Sequence, residues 1–202
     1  MKIIGLTGGI ACGKSTIAGI LRGLGATIVD ADAIYDDLTN PGGEALPRIR
    51  DAFGDFVFYP DDTLDRSTLS AIVFQNDEEL SKLNAATHPL IQRRMLEEVE
   101  VCRKMGVLVV VLDVPLLFET GMGGLADVTV CASAPLERQI ERLKTRSGLN
   151  REQALQRIHS QWPLSEKERR SDIIIHTDKP LAELNQEVRK LYLEWSRPED
   201  VL

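Results

Sequence analysis

The chain opens on an apolar run, Ile3-Ile4-Gly5-Leu6, then a glycine-rich turn, then apolar residues at Ile17, Ile20, Leu21 and Leu24 that share one face of a helix. That order predicts strand, loop and helix. Gly25 closes the helix, and Ala26-Thr27-Ile28-Val29 predicts a short second strand that delivers Asp30 and Asp32 at its end, a βαβ-type opening. From Ala33 to Met105 polar and apolar residues mix without a strong strand, interrupted by Pro41-Gly42-Gly43, Tyr59-Pro60-Asp61-Asp62 and Pro89, and the stretch reads as a helical insert. Val107 to Leu112 is a continuous apolar run rich in β-branched side chains, the mark of a parallel strand covered on both faces, and Asp113 follows it. Val128-Thr129-Val130-Cys131 predicts another strand, with Pro135 suited to the first turn of a helix. Helices are expected over Leu136 to Lys144 and over Arg151 to Gln161, the second capped by Asn150. Ile173-Ile174-Ile175 predicts the last strand and Leu181 to Trp195 the last amphipathic helix. Strands alternating with helices predict an α/β fold, a parallel sheet of about five strands flanked by helices.

Composition narrows the function. A length of 202 residues suits one large domain, or one with a sizeable insert, and allows a core without disulfides or metal. Cys12, Cys102 and Cys131 form no CxxC pair and no zinc-type spacing with His88, His159 and His176, which suits a reducing compartment. The run Val107 to Leu112 is too short to cross a bilayer, and the apolar start at Ile3 ends too early for a signal peptide. The expected setting is therefore cytoplasmic, with no membrane partner. The 24 basic and 31 acidic residues leave a net charge of −7, which excludes a generally basic nucleic-acid coat. The acidity is uneven: Pro135 to Arg170 holds nine basic and five acidic residues, so positive charge gathers where anionic small molecules can use it.

Gly8-Gly9-Ile10-Ala11-Cys12-Gly13-Lys14-Ser15 fits G-x-x-x-x-G-K-[ST] between a predicted strand and a predicted helix. Gly8 and Gly13 let the backbone turn its N–H groups toward phosphate oxygens, and the helix start adds its dipole. Lys14 supplies a cation for the β- and γ-phosphates, and the Ser15 hydroxyl suits Mg²⁺. Asp30 and Asp32, some twenty residues on, also invite a dinucleotide reading, but no G-x-G-x-x-G occurs and Lys14-Ser15 favours a nucleoside triphosphate. Either aspartate could accept a proton from an attacking hydroxyl or hold a metal, while Asp30 equally suits a helix cap. Asp113 has the form of a Walker-B carboxylate. Arg138, Arg142 and Arg146 recur every four residues along one helical face, where Glu137 and Glu141 also allow a solvated, ion-paired surface. Asp51-Ala52-Phe53-Gly54 spells DxxG, but it falls in a predicted helix and no NKxD accompanies it, which argues against a nucleotide-hydrolysing switch.

These residues resemble the dephospho-CoA kinase family over nearly the whole chain. The resemblance rests on Leu6-Thr7-Gly8-Gly9-Ile10 running into Gly13-Lys14-Ser15-Thr16, on Asp30-Ala31-Asp32, Leu64-Asp65-Arg66 and His88-Pro89, and on Asp113-Val114-Pro115-Leu116-Leu117-Phe118-Glu119. Gln139 with Arg142, and Arg157-Ile158 with Gln161, continue it. It implies a P-loop NTPase fold with a nucleotide-binding core at 1–32, 106–134 and 171–202, a helical substrate-binding region at 33–105 and a lid at 135–170. It implies phosphorylation of the ribose 3′-hydroxyl of dephospho-CoA by ATP with Mg²⁺, by a monomer or small homo-oligomer. The nearest alternative is a nucleoside monophosphate kinase, which would differ only in the acceptor pocket. By position, Asp32 becomes the general base, and Lys14 and Arg142 the catalytic cations. Gly8, Gly9, Ala11, Cys12, Gly13, Lys14, Ser15, Thr16, Arg142 and Arg146 fall to ATP, with Ser15 on the metal. Asp32, Arg66, His88, Asp113, Pro115, Leu116, Leu117 and Phe118 fall to the acceptor. Two departures stand out: Ala11-Cys12 replaces Gly-Ser, which predicts an oxidation-sensitive loop at Cys12, and His176-Thr177-Asp178 replaces a turn that more usually holds Asn.

Overall fold

The computed structural model describes residues 1–73 and 76–197; positions 74–75 of the expected helical region and 198–202 of the expected core lie outside the described residues. The strands are β1 (Lys2–Gly8), β2 (Thr27–Asp30), β3 (Val109–Asp113), β4 (Val128–Ser133) and β5 (Ile173–His176). The α-helices are α1 (Lys14–Gly23), α2 (Ala31–Thr39), α3 (Leu46–Phe53), α4 (Arg66–Val73), α5 (Asp77–Lys104), α6 (Leu136–Ser147), α7 (Arg151–His159), α8 (Leu164–Arg170) and α9 (Leu181–Trp195). The chain divides into two compact units, one of Met1–Val29 with Val99–Leu202 and one of Asp30–Glu98.

The first unit is organised by a five-stranded parallel sheet in the order β2-β3-β1-β4-β5. In register, Leu6 lies opposite Asp113 of β3 and Thr7 opposite Cys131 of β4, so the carboxyl ends of β1, β3 and β4 share one edge. Burial on both faces explains the unbroken apolar run: Val109, Val110 and Val111 have no exposed surface. The strand starts two residues later than the run. Gly106, at φ 71°, and the bond from the Val107 N–H to the Cys102 carbonyl close α5 there, leaving Leu108 54% exposed. Ile17 and Leu21 of α1 and Leu184, Val188 and Trp195 of α9 join Ile4, Leu6, Val130 and Ile175 in one core. A smaller cluster gathers Ile140 and Leu143 of α6 with Ala154 of α7, and Ile10 and Ala11 pack on it. Asn150 caps α7 as expected, in a capping box with Gln153.

The second unit is helical. Ile34 and Leu38 of α2, Ile49 and Phe53 of α3, Leu69 of α4, and Leu90, Ile91 and Met95 of α5 are among its buried side chains. The DxxG sequence is the end of α3, where Gly54, at φ 84°, donates to the Arg50 carbonyl at 2.7 Å. Among the described residues no helix is long and apolar enough to cross a membrane.

Candidate active site at the phosphate loop

The loop between β1 and α1 is shaped by two glycines for two reasons. A Cβ on Gly8 would stand 2.6 Å from the Ala132 carbonyl oxygen, so the loop can leave the sheet at that point only without a side chain. Gly13, at φ 86°, occupies the left-handed region at the N-cap of α1, and a Cβ there would meet Thr177 at 2.9 Å. Ala11 also has a positive φ, 59°, which a residue with a side chain adopts at a cost of about 1–2 kcal/mol. No side chain caps α1, so its first N–H groups and its dipole face the loop.

Lys14, in the first turn, forms an ion pair with Asp113, and the two side chains are 20% and 8% exposed. The Walker-B reading of Asp113 thereby gains a partner in the loop itself. Ser15 and Thr16 are exposed on the same turn. The Ser15 hydroxyl and the Asp113 carboxylate are hard oxygen donors that fit Mg²⁺, an ion that keeps several waters and takes one or two protein oxygens beside substrate phosphates. Among the described residues there is no cluster of three or more His, Cys, Asp or Glu placed to hold a metal ion.

Arg142 lies against the outside of the loop. Its Nη1 donates to the Ala11 carbonyl at 3.0 Å and to Thr177 Oγ1 at 2.9 Å, and its Nη2 donates to the Thr177 carbonyl at 2.7 Å. The three arginines of α6 part company: Arg138 pairs with Glu141, the solvated arrangement, and Arg146 is exposed. A step of four residues turns a helix by about 400°, so residues spaced by four drift by about 40° each.

The segment after β3 is tied down from within the first unit. The Pro115 carbonyl accepts from Thr7 Oγ1 at 3.0 Å and from Lys167 Nζ at 2.8 Å, and Lys167 Nζ lies 2.8 Å from Glu119 Oε1. Lys167 has no exposed surface. Leu117 is fully buried against Gly5, so it shapes the segment from inside, whereas Leu116 is exposed and Phe118 half-buried. A cavity of about 710 Å³ opens beside Gly9 and Ile10 and is lined also by Gln139, Trp162, His176 and Asp178. Gln139 donates to the Ala134 carbonyl at 2.9 Å, and its buried oxygen meets no hydrogen-bond donor among the described residues.

In the second unit, Asp30 caps α2: its Oδ1 accepts from the Asp32 N–H at 2.9 Å and the Ala33 N–H at 3.3 Å, leaving Asp32 exposed in the first turn. Asp65 caps α4 through Ser67 and Thr68, whose hydroxyl and N–H donors hold its carboxyl far below the usual carboxylate range. That cap explains why Asp65 precedes Arg66. Arg66 in turn donates to Asp36 Oδ1 at 2.8 Å and to Thr39 Oγ1 at 2.7 Å, and it stacks over Tyr35. His88 is half-buried in α5, and burial pushes its imidazole below its ordinary value.

The oxidation expectation for Cys12 is corrected. Cys12 is 1% exposed and burial raises its thiol, so it lacks the accessible thiolate that oxidation needs. Cys131 is pushed up to about 12, again mainly by burial. Sequence reasoning missed Thr177, Lys167 and the whole of α8. The departure at His176-Thr177-Asp178 marked the position of Thr177 but not its partners.

A parallel sheet in this order, a Lys-Ser phosphate loop between its central strand and a helix, and a strand-end carboxylate paired with the loop lysine define a P-loop NTPase fold. The sequence profile of dephospho-CoA kinase matches residues 2–183, and the chain belongs to that family. A dephospho-CoA kinase of Geobacillus kaustophilus is 40% identical over 192 residues, covering 95% of this chain and 96% of its own. A crystal structure of the Thermus thermophilus protein TT1252 superposes with a TM-score of 0.81 at 34% identity, over 96% of this chain and 97% of that one. Dephospho-CoA kinase from Campylobacter jejuni gives 0.64 at 28% identity, over 98% of both chains.

Proposed function

We infer that this kinase transfers the γ-phosphoryl group of ATP to the ribose 3′-hydroxyl of dephospho-CoA, giving coenzyme A and ADP, the last step of coenzyme A biosynthesis. The observation that carries the reading is the family match across residues 2–183, over a loop that ends in a lysine paired with Asp113. Loop N–H groups and the α1 dipole bind the phosphates, and Lys14 exchanges its Asp113 carboxylate for phosphate oxygens as the nucleotide arrives. Gly8, Gly9, Ala11, Cys12 and Gly13 contribute backbone, Ser15 and Thr16 hydroxyls, and Arg142 and Arg146 charge. Asp32 accepts the proton of the 3′-hydroxyl as it attacks the γ-phosphorus and ADP departs. Arg66, His88, Asp113 and the segment from Pro115 to Phe118 serve the acceptor. Magnesium held by Ser15 and Asp113 would supply neutralisation of charge on the β- and γ-oxygens. The helical region at 33–105 takes the acceptor, and the lid at 135–170 excludes water. Three free thiols, all buried, suit the reducing cytoplasm, where the enzyme works as a monomer or small homo-oligomer.

The test is ADP release from ATP in the presence of dephospho-CoA, AMP, UMP or no acceptor. Turnover is expected to rise only with dephospho-CoA. Faster turnover with AMP or UMP would transfer the reading to a nucleoside monophosphate kinase, and equal turnover without acceptor would end it.

A further inference from the structure

Thr177, just past the carboxyl end of β5, bonds both to the phosphate loop and to the arginine that lies against it. It is 5% exposed, and its N–H is anchored on the Ser133 carbonyl of β4 at 2.9 Å. Its hydroxyl carries a single proton, which goes to the Cys12 carbonyl at 2.6 Å, so the same oxygen is left to accept from Arg142 at 2.9 Å. Arg142 completes the ring on the Ala11 carbonyl at 3.0 Å.

The geometry has three consequences for the loop. In a trans peptide the C=O and the following N–H point in opposite directions. Holding the Cys12 carbonyl on Thr177 therefore turns the Gly13 N–H away from Thr177, into the loop and toward the phosphates. Ala11 keeps its left-handed backbone, which its side chain disfavours, while Arg142 grips its carbonyl. Gly13 also cannot drift outward, because Thr177 atoms stand within 3.2 Å of where a Cβ would be.

We propose that Thr177 is a positioning residue for the donor nucleotide: its hydroxyl sets the Cys12–Gly13 peptide and the Arg142 guanidinium in the geometry that receives the phosphates. The proposal rests on the loop being the ATP site.

Thr177→Val keeps the volume and removes the hydroxyl, and Thr177→Ser keeps the hydroxyl. Calorimetric binding of Mg-ADP, with separate KM values for ATP and dephospho-CoA, gives the readout. Thr177→Val is expected to weaken ADP binding and raise the ATP KM by roughly tenfold, the effect of losing one buried side-chain hydrogen bond. The dephospho-CoA KM is expected to stay within about twofold, and Thr177→Ser to stay within about twofold of the parent in every measurement. Parental ADP binding by Thr177→Val, binding by Thr177→Ser as weak as by Val, or equal shifts of both KM values would overturn the proposal. If Thr177→Val is not recovered folded, Thr177→Ala against Thr177→Ser makes the same comparison. ADP binding needs no acceptor, so a parent enzyme that binds ADP but leaves dephospho-CoA unchanged refutes the proposed reaction without touching this result.

Discussion

Lys14 and Asp113 stand 99 positions apart and meet as an ion pair at the start of α1. Both were legible, because a glycine loop ending in Lys-Ser and an apolar run ending in Asp are local patterns. Their pairing was not, since it depends on β1 and β3 being neighbours. Asp30 and Asp32 show the reverse case. The sequence offered Asp30 as a helix cap or a functional carboxylate, the resemblance pointed to Asp32 as the base, and in the structure Asp30 caps α2. The proposed proton acceptor is Asp32. Asp32→Asn is expected to lower kcat by about 10²- to 10⁴-fold, the usual contribution of a positioned base, with the ATP KM unchanged. An unchanged kcat in steady-state assays would remove Asp32 from the reaction. Thr177 and Lys167 lay beyond local reading altogether, because their partners are 165 and 52 positions away.

Among the elements, the strands and the longer helices followed their periodicity, and α8 escaped it. Leu164–Arg170 has seven residues, one of them apolar, too few to display a 3.6-residue period, and its position is set by Lys167 and by Glu168, which accepts from the Ser133 hydroxyl at 2.6 Å. The α6 arginines were placed correctly on a helix and then sorted by packing into one at the loop, one paired and one exposed. α5 carries a titration that can be checked. Burial lowers the His88 pKa below 6.5, so as pH falls through 6.5 the unfolded chain takes up a proton that the folded chain does not. His88 thus leaves stability unaffected above that pH and subtracts from it below, down to its folded pKa. Chemical denaturation of His88→Gln between pH 7.5 and 5 is expected to show a smaller loss of stability than the parent; identical pH profiles would contradict the assignment.

For the molecule as a whole, the buried Lys167–Glu119 pair links α8 to the segment after β3 and leaves a charge stranded if either side is lost. Lys167→Met is expected to cost about 3–5 kcal/mol in urea denaturation, and Lys167→Met with Glu119→Gln to recover part of it; a single variant as stable as the parent would show the pair to be dispensable. The net charge of −7 excluded a nucleic-acid coat without excluding anionic substrates, because basic residues exceed acidic ones between Pro135 and Arg170. Fold class was thus readable from the alternation of strands and helices, a triphosphate-binding loop from its motif and the reaction from the family resemblance, whereas the network that shapes the loop arises only on folding. The enzyme is defined by where the phosphoryl group goes. Incubation with dephospho-CoA and ATP labelled at the γ-phosphorus, with the products resolved by chromatography and phosphorus NMR, follows the label directly. The label is expected in a new monoester on the ribose 3′-oxygen, in a product that co-elutes with coenzyme A; label recovered only in inorganic phosphate, or at another position of the acceptor, would contradict the account.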